Sequence, residues 1–163
     1  MRFPWGSQKK RPIFLCHGCF DLLHVGHLAH LLEVKRLASR VNGLVYVSVT
    51  ADEFVRKGPG RPLMPAFERV ELLANLRCVD RAFVSAGETG CEAIARVKPR
   101  WYCKGADYVG LLKDDGRSIG GTAQTLWEER DIVRTYGGDI LYTNTPVFHS
   151  TDYLRRYLHA NSL

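Results

Sequence analysis

Short apolar runs alternate with stretches of helical periodicity from residue 13 onward, and this alternation restricts the chain to βαβ units built into a parallel sheet. Residues 13–16 (Ile-Phe-Leu-Cys) lead to Gly18 and precede Val25, Leu28, Leu31, Leu32 and Leu37, which recur at helical spacing. Residues 44–49 (Leu-Val-Tyr-Val-Ser-Val) form a nearly continuous apolar run, the pattern of a strand covered on both faces. Further strands are expected at 81–85, 101–104 and 140–143. Helices are expected at 66–76, with Phe67, Val70, Leu73 and Leu76 on one face, and at 89–97, stopped by Pro99. Two more are expected at 124–136, ended by Gly137-Gly138, and at 150–159, with Ser150 or Thr151 as N-cap. The expected fold is α/β and Rossmann-like: a single domain of five parallel strands with helices on both faces.

A chain of 163 residues suits that one domain and is too short for a multidomain enzyme. The net charge of +6 is unevenly placed: Arg2, Lys9, Lys10 and Arg11 supply four of the six excess charges. Residues 1–11 therefore read as a basic arm and 12–163 as the folded domain. A nearly neutral body lacks the cationic face of a nucleic-acid domain, so RNA binding through the arm is the weaker reading. The N-terminus lacks the apolar run of a signal peptide and no stretch is long enough to span a membrane, so a cytoplasmic location is expected. Five scattered cysteines without a secretion signal are expected to stay reduced.

Two segments fit the alternation poorly. Residues 56–65 carry three prolines and two glycines and read as a mobile loop; residues 108–123, with Asp114-Asp115-Gly116 and Gly120-Gly121, read as a long loop.

In an open α/β sheet, ligands bind beyond the carboxyl ends of the strands, where loops feed helix N-termini that favour anions. The loop after the first strand runs His17-Gly-Cys-Phe-Asp-Leu-Leu-His-Val-Gly-His27 and contains neither of the usual glycine-rich phosphate loops. Instead His24-Val25-Gly26-His27 puts two imidazoles three residues apart on one helical face, with a glycine between them where a phosphate would approach the backbone. Cys16-x2-Cys19 followed by His24-x2-His27 also offers zinc-type ligands, but at a spacing unlike that of zinc fingers.

The run from Gly18 to His27 resembles, nearly position for position, the first motif of the cytidylyltransferase-like branch of the His-x-Gly-His nucleotidyltransferases. Thr50-Ala-Asp-Glu53, Lys57-Gly-Pro-Gly-Arg-Pro62, Glu68-Arg69, Cys78-Val-Asp80 and Lys104-Gly-Ala-Asp-Tyr108 follow in the order of its sugar-phosphate members, especially the heptose-1-phosphate adenylyltransferase domain. The similarity covers residues 12–159. It implies attack of a substrate phosphate on the α-phosphorus of a nucleoside triphosphate, ATP before CTP, with release of pyrophosphate. A CTP-dependent cytidylyltransferase for a polyol phosphate or phosphonate, and a non-catalytic nucleotide-binding module, are the alternatives.

The same resemblance implies that His24, His27 and Lys57 are catalytic, and that Gly18, Cys19, Phe20, Asp21, Gly26, Lys104, Asp107, Ser150 and Thr151 bind nucleotide. It further implies that Arg61 contacts substrate, that Mg²⁺ bridges phosphate oxygens, and that the chain forms a homodimer. Ser150 and Thr151 match the family's second motif, whereas His149 and Asp152 depart from it. Ala106 stands where the sugar-phosphate members tend to have glycine. His17 lies beside the site with its role open; His30 reads as a helix-surface residue, Trp5, Trp101 and Trp127 as packing aromatics, and Cys78, Cys91 and Cys103 as small core residues.

Overall fold

The computed structural model describes residues 10–109, 121–146, 148 and 150–161. The basic arm up to Lys9, residues 110–120 of the second long loop, and His149 lie outside them.

Five strands form one parallel sheet: β1 (Ile13–Gly18), β2 (Leu44–Thr50), β3 (Arg81–Ser85), β4 (Trp101–Lys104) and β5 (Asp139–Tyr142), in the order β3-β2-β1-β4-β5. The chain winds outward from β1 to β3, then crosses back to lay β4 on the other side of β1. Helices α1 (Val25–Ser39), α2 (Ala66–Ala74), α3 (Cys91–Val97) and α4 (Gly121–Arg134) make the crossovers, and α5 (Ser150–Asn161) follows β5.

Both faces of the central strands are buried, which is why β1 and β2 lack polar alternation. Phe14 and Cys16 of β1 and Val45, Val47 and Val49 of β2 pack with Leu31, Val34 and Ala38 of α1 and Leu73 of α2. Leu15 of β1 and Tyr102 of β4 point the other way, against Ala93 and Ile94 of α3 and Val133 of α4. Each fully buried Leu, Ile or Val contributes roughly 1.5–3 kcal/mol, so two cores of this kind hold a sheet of short strands.

The helices depart from the sequence pattern where a polar group takes an inward position. Phe67 of α2 is 69% exposed, while Arg69 is 1% exposed and takes the inner face beside Leu73. The Arg69 guanidinium donates to the carbonyls of Cys19 and Met64 and pairs with Asp52 at 2.5 Å, tying three loops to one cation. In α1 the inward row is Leu31, Val34 and Ala38; Val25 and Leu32 face outward. α2 stops at Ala74 because the turn after it is tightened by a Leu76 N–H bond to Leu73. α3 starts at Cys91, whose N–H is accepted by the Thr89 hydroxyl at 3.3 Å, so Thr89 stands outside the helix.

Candidate active site

A cleft of about 620 Å³ opens at the carboxyl ends of β1 and β4, the two strands between which the direction of winding reverses. One side is formed by the β1–α1 loop, Lys57 and the start of α5; the other by Lys104, Gly105, Ala106, Asp107 and Tyr108 after β4.

His24 is the N-cap of α1 and His27 its third residue, and the two imidazoles cap the helix reciprocally. The His27 N–H donates to His24 Nδ1 and the His24 N–H to His27 Nδ1, each at 3.4 Å. The arrangement is a capping box made with histidines in place of the usual hydroxyl and carboxylate. It has a chemical consequence: an Nδ1 that accepts from backbone leaves the proton of a neutral ring on Nε2. The rings stack with centroids 3.7 Å apart, and Phe20, 4% exposed, braces His27 at 4.9 Å. Burial first, then the charges of His24, Lys57 and His30, hold the His27 pKa down to about 3. At neutral pH His27 is therefore a fixed, uncharged N–H donor.

A second set of bonds fixes the loop that carries Lys57. Asp21, wholly buried, pairs with Arg61 at 2.5 Å and accepts from the N–H groups of Leu63 at 3.0 Å and Met64 at 3.1 Å. Burial pushes the Asp21 carboxyl up, but the Leu63 amide, the Arg61 guanidinium and the Met64 amide outweigh it and leave it below its ordinary value. The Ser150 hydroxyl donates to the Asp21 carbonyl at 3.0 Å and is approached by Lys57 Nζ at 3.5 Å, so α5, the 56–65 loop and the first motif meet at one point.

At the other end of the cleft, Lys104 is 7% exposed and its ammonium lies 2.8 Å from Glu129 of α4, which is 1% exposed. Glu129 also accepts from the Tyr102 hydroxyl at 2.8 Å and from the Gly90 N–H at 3.0 Å. A Cβ on Gly90 would run into the Tyr102 hydroxyl and come within 2.6 Å of Glu129. Gly90→Ala is therefore expected to cost about 1–3 kcal/mol, read from the urea midpoint; an unchanged midpoint would show that this contact yields cheaply.

The chain matches the cytidylyltransferase-like family over residues 15–156, from β1 through the first half of α5. It belongs to that family, and with it to the nucleotidyltransferases. It is 33% identical over 135 residues to the bifunctional protein HldE of Syntrophotalea carbinolica and 37% identical over 123 residues to that of Trichlorobacter lovleyi. These alignments take in 82% and 72% of this chain but 24% of each relative, so the chain spans about a quarter of the curated proteins it matches. The lipopolysaccharide core biosynthesis protein of Thermoplasma volcanium has the same fold, with a TM-score of 0.62 and 22% identity over 83% of this chain and 98% of its own.

The cleft brings together most of the residues singled out from sequence. His24, His27, Lys57, Gly18, Cys19, Phe20, Gly26, Lys104, Asp107, Ser150 and Thr151 all line it. Asp21 and Arg61 are not among its lining residues: each is the other's partner, and the Arg61 side chain is 6% exposed. At Gly26 the protein itself also leaves no room for a side chain, because a Cβ there would come within 2.8 Å of the Phe148 ring and 3.1 Å of His24. Asp152 lines the cleft with Arg155, its partner at 3.6 Å, so a cation stands beside the acid that departs from the second motif.

His30 is not a surface residue. It lines the cleft floor and bonds the Thr143 hydroxyl through Nδ1 at 2.7 Å. Burial lowers its pKa, but Cys16, Asp107 and Glu33 more than compensate and leave it raised. Glu129, the anchor of Lys104, gives no sign in the sequence beyond its place in an amphipathic helix. Among the described residues no helix is long and apolar enough to cross a membrane, and no group of three or more His, Cys, Asp or Glu is arranged to hold a metal ion.

His17 bonds Ser48 at 2.9 Å through Nδ1, and burial lowers its pKa to about 4. Below the unfolded value of about 6.5 the unfolded chain binds a proton that folded His17 refuses, so this group contributes stability near neutrality that is lost as pH falls. Between pH 7 and 5.5, where carboxylates stay ionised, the urea midpoint of His17→Gln is expected to fall less than that of the parent. Equal slopes would show that His17 protonates without cost in the fold.

Proposed function

We propose that the protein transfers a nucleoside monophosphate, AMP in preference to CMP, from a nucleoside triphosphate to a sugar phosphate such as a heptose 1-phosphate. The substrate's phosphate oxygen forms a bond to the α-phosphorus, the bond from that phosphorus to the bridging β-phosphate oxygen breaks, and pyrophosphate leaves. The observation that carries the reading is the stacked histidine pair, whose Nδ1 atoms are committed to the helix cap so that the ring protons sit on Nε2 in a cleft of about 620 Å³.

Such a reaction asks for positioning and charge stabilisation more than for covalent chemistry by the protein. His24 and His27 donate to the α-phosphate oxygens as charge develops there. Lys57, held beside Ser150, supplies a cation to the phosphates, and Thr151 and the first turn of α5 receive the departing pyrophosphate. Lys104 and Asp107 hold the nucleotide's or the acceptor's polar groups. The carboxylate of Asp152, a hard oxygen donor on the cleft wall at the histidine end, would suit a Mg²⁺ ion bound chiefly through substrate phosphates. That ion would neutralise phosphate charge and favour departure of the leaving group.

The deciding experiment is pyrophosphate release across a matrix of ATP, CTP, GTP and UTP against heptose 1-phosphate, other sugar phosphates and polyol phosphates, with and without Mg²⁺. Turnover with ATP and a sugar 1-phosphate is expected. Turnover confined to CTP and a polyol phosphate would move the protein to the cytidylyltransferase alternative, and nucleotide binding without turnover on any pair to a binding module. The family resemblance further supports a homodimer, which a monomeric mass in light scattering would remove.

A further inference from the structure

Lys104 is a cleft-lining cation matched by a buried carboxylate, whereas the pair of Arg155 and Asp152 is exposed. The Lys104 ammonium sits 2.8 Å from the Glu129 carboxylate, 4.4 Å from the centre of the Tyr108 ring and 5.0 Å from that of Tyr102. Glu129 is not incidental to this. It is buried, its second oxygen takes two donors, and Gly90 lacks the side chain that would fill the place where they meet. The other oxygen of Glu129 makes no hydrogen bond among the described residues and is matched by the Lys104 charge alone, and a buried carboxylate is expensive without such a counter-ion.

The charge is therefore distributed unequally along the cleft. At the histidine end Lys57 and Arg155 face the single carboxylate of Asp152. At the other end Lys104 and Glu129 cancel, and Asp107 adds a negative charge. Phosphates sort to the first end. A charge-matched ammonium still donates hydrogen bonds, and beside a carboxylate and a tyrosine it suits hydroxyl and carbonyl oxygens.

We propose that Glu129 is a positioning residue: it aims and neutralises the Lys104 ammonium, so that this end of the cleft receives the uncharged, hydroxyl-bearing part of a ligand and not a phosphate. The proposal rests on the nucleotidyltransferase reading for the identity of that ligand, but the Lys104 anchor itself can be tested without it.

Glu129→Gln keeps an oxygen to accept from Tyr102 and Gly90 and removes only the charge that anchors Lys104. Calorimetric titrations of parent and variant with ATP, CTP, heptose 1-phosphate and pyrophosphate separate the outcomes. Affinity for at least one nucleoside triphosphate or sugar phosphate is expected to fall by at least about tenfold, while pyrophosphate, which has no hydroxyl-bearing part, binds as well or better. An equal loss for all ligands, as general damage would produce, overturns the proposal, and so does no loss for any.

If the parent binds no nucleotide, the functional reading fails and a second readout decides the anchor. Acetic anhydride labelling followed by mass spectrometry should acylate Lys104, 7% exposed in the parent, several-fold faster in Glu129→Gln, because an amine no longer held by its buried counter-ion is released to the reagent. Lys98 serves as the unchanged control, and equal Lys104 rates in parent and variant overturn the proposal. Should Glu129→Gln fail to fold, Tyr102→Phe loosens the carboxylate while keeping the ion pair. The same split between ligands, smaller in size, is then expected; its absence counts against the anchor.

Discussion

His27→Ala is expected to lower pyrophosphate release by at least about 10²-fold, the usual effect of deleting one preorganised donor to developing charge. The loss should fall on kcat more than on KM, because a neutral N–H gains most when charge accumulates on the α-phosphate oxygens. His27 is prepared for this role by position: its Nδ1 takes the His24 N–H, and burial with neighbouring cations keeps the ring uncharged with a pKa of about 3. Alanine also breaks the helix cap, an effect of about 1 kcal/mol on stability. His27→Gln separates the two, since glutamine at the third position of a helix is an ordinary partner in a capping box. It should restore the urea midpoint and leave turnover low. Turnover within about threefold of the parent in both variants would remove His27 from the chemistry.

The same pair of residues shows how much the sequence discloses and where it stops. Two histidines three apart at a helix start are visible as a motif, and the strand-helix alternation discloses the sheet that presents them. The reason the histidines are held is not visible, because it lies in backbone bonds across the cap. Asp21 and Arg61 illustrate a different limit. Each carries the chemistry of a ligand contact, and only the folded loop shows that they satisfy one another 40 residues apart. His30 and Glu129 fail to stand out for a third reason: a polar residue on a helix reads as solvent-facing until the carboxyl edge of the sheet offers a partner, Thr143 just after β5 for one and Lys104 of β4 for the other. Phe67 is the converse, an apolar residue displaced outward because Arg69 has more bonds to make on the inner face. Periodicity reports the average burial of a helix face, whereas these exceptions are set by pairwise bonds between distant segments.

The largest loss of stability is expected from Asp21→Asn, about 3–5 kcal/mol in urea unfolding, the cost of leaving one member of a buried ion pair without the other. Asparagine has nearly the shape of aspartate, so packing is preserved. Its amide nitrogen, however, presents donors to an arginine that is itself all donor, and Arg61, with a side chain 6% exposed, has little access to water in compensation. Asp21→Asn combined with Arg61→Gln removes both charges and should recover part of the loss; two losses that simply add would show that the residues are not coupled. Turnover should fall in the single variant even where it is folded, because Asp21 also holds the amides of Leu63 and Met64 and through them the loop on which Lys57 reaches Ser150. The pH dependence carries the same signature. The folded carboxyl titrates below its ordinary range, so its contribution is complete above the unfolded carboxylate pKa of about 3.9 and is lost as pH falls through the lowered folded value. In Asp21→Asn that acid-sensitive component disappears, and the gap in stability between parent and variant should close on acidification. A gap that stays constant from pH 7 to the acid limit would mean that Asp21 is not held as a carboxylate in the fold.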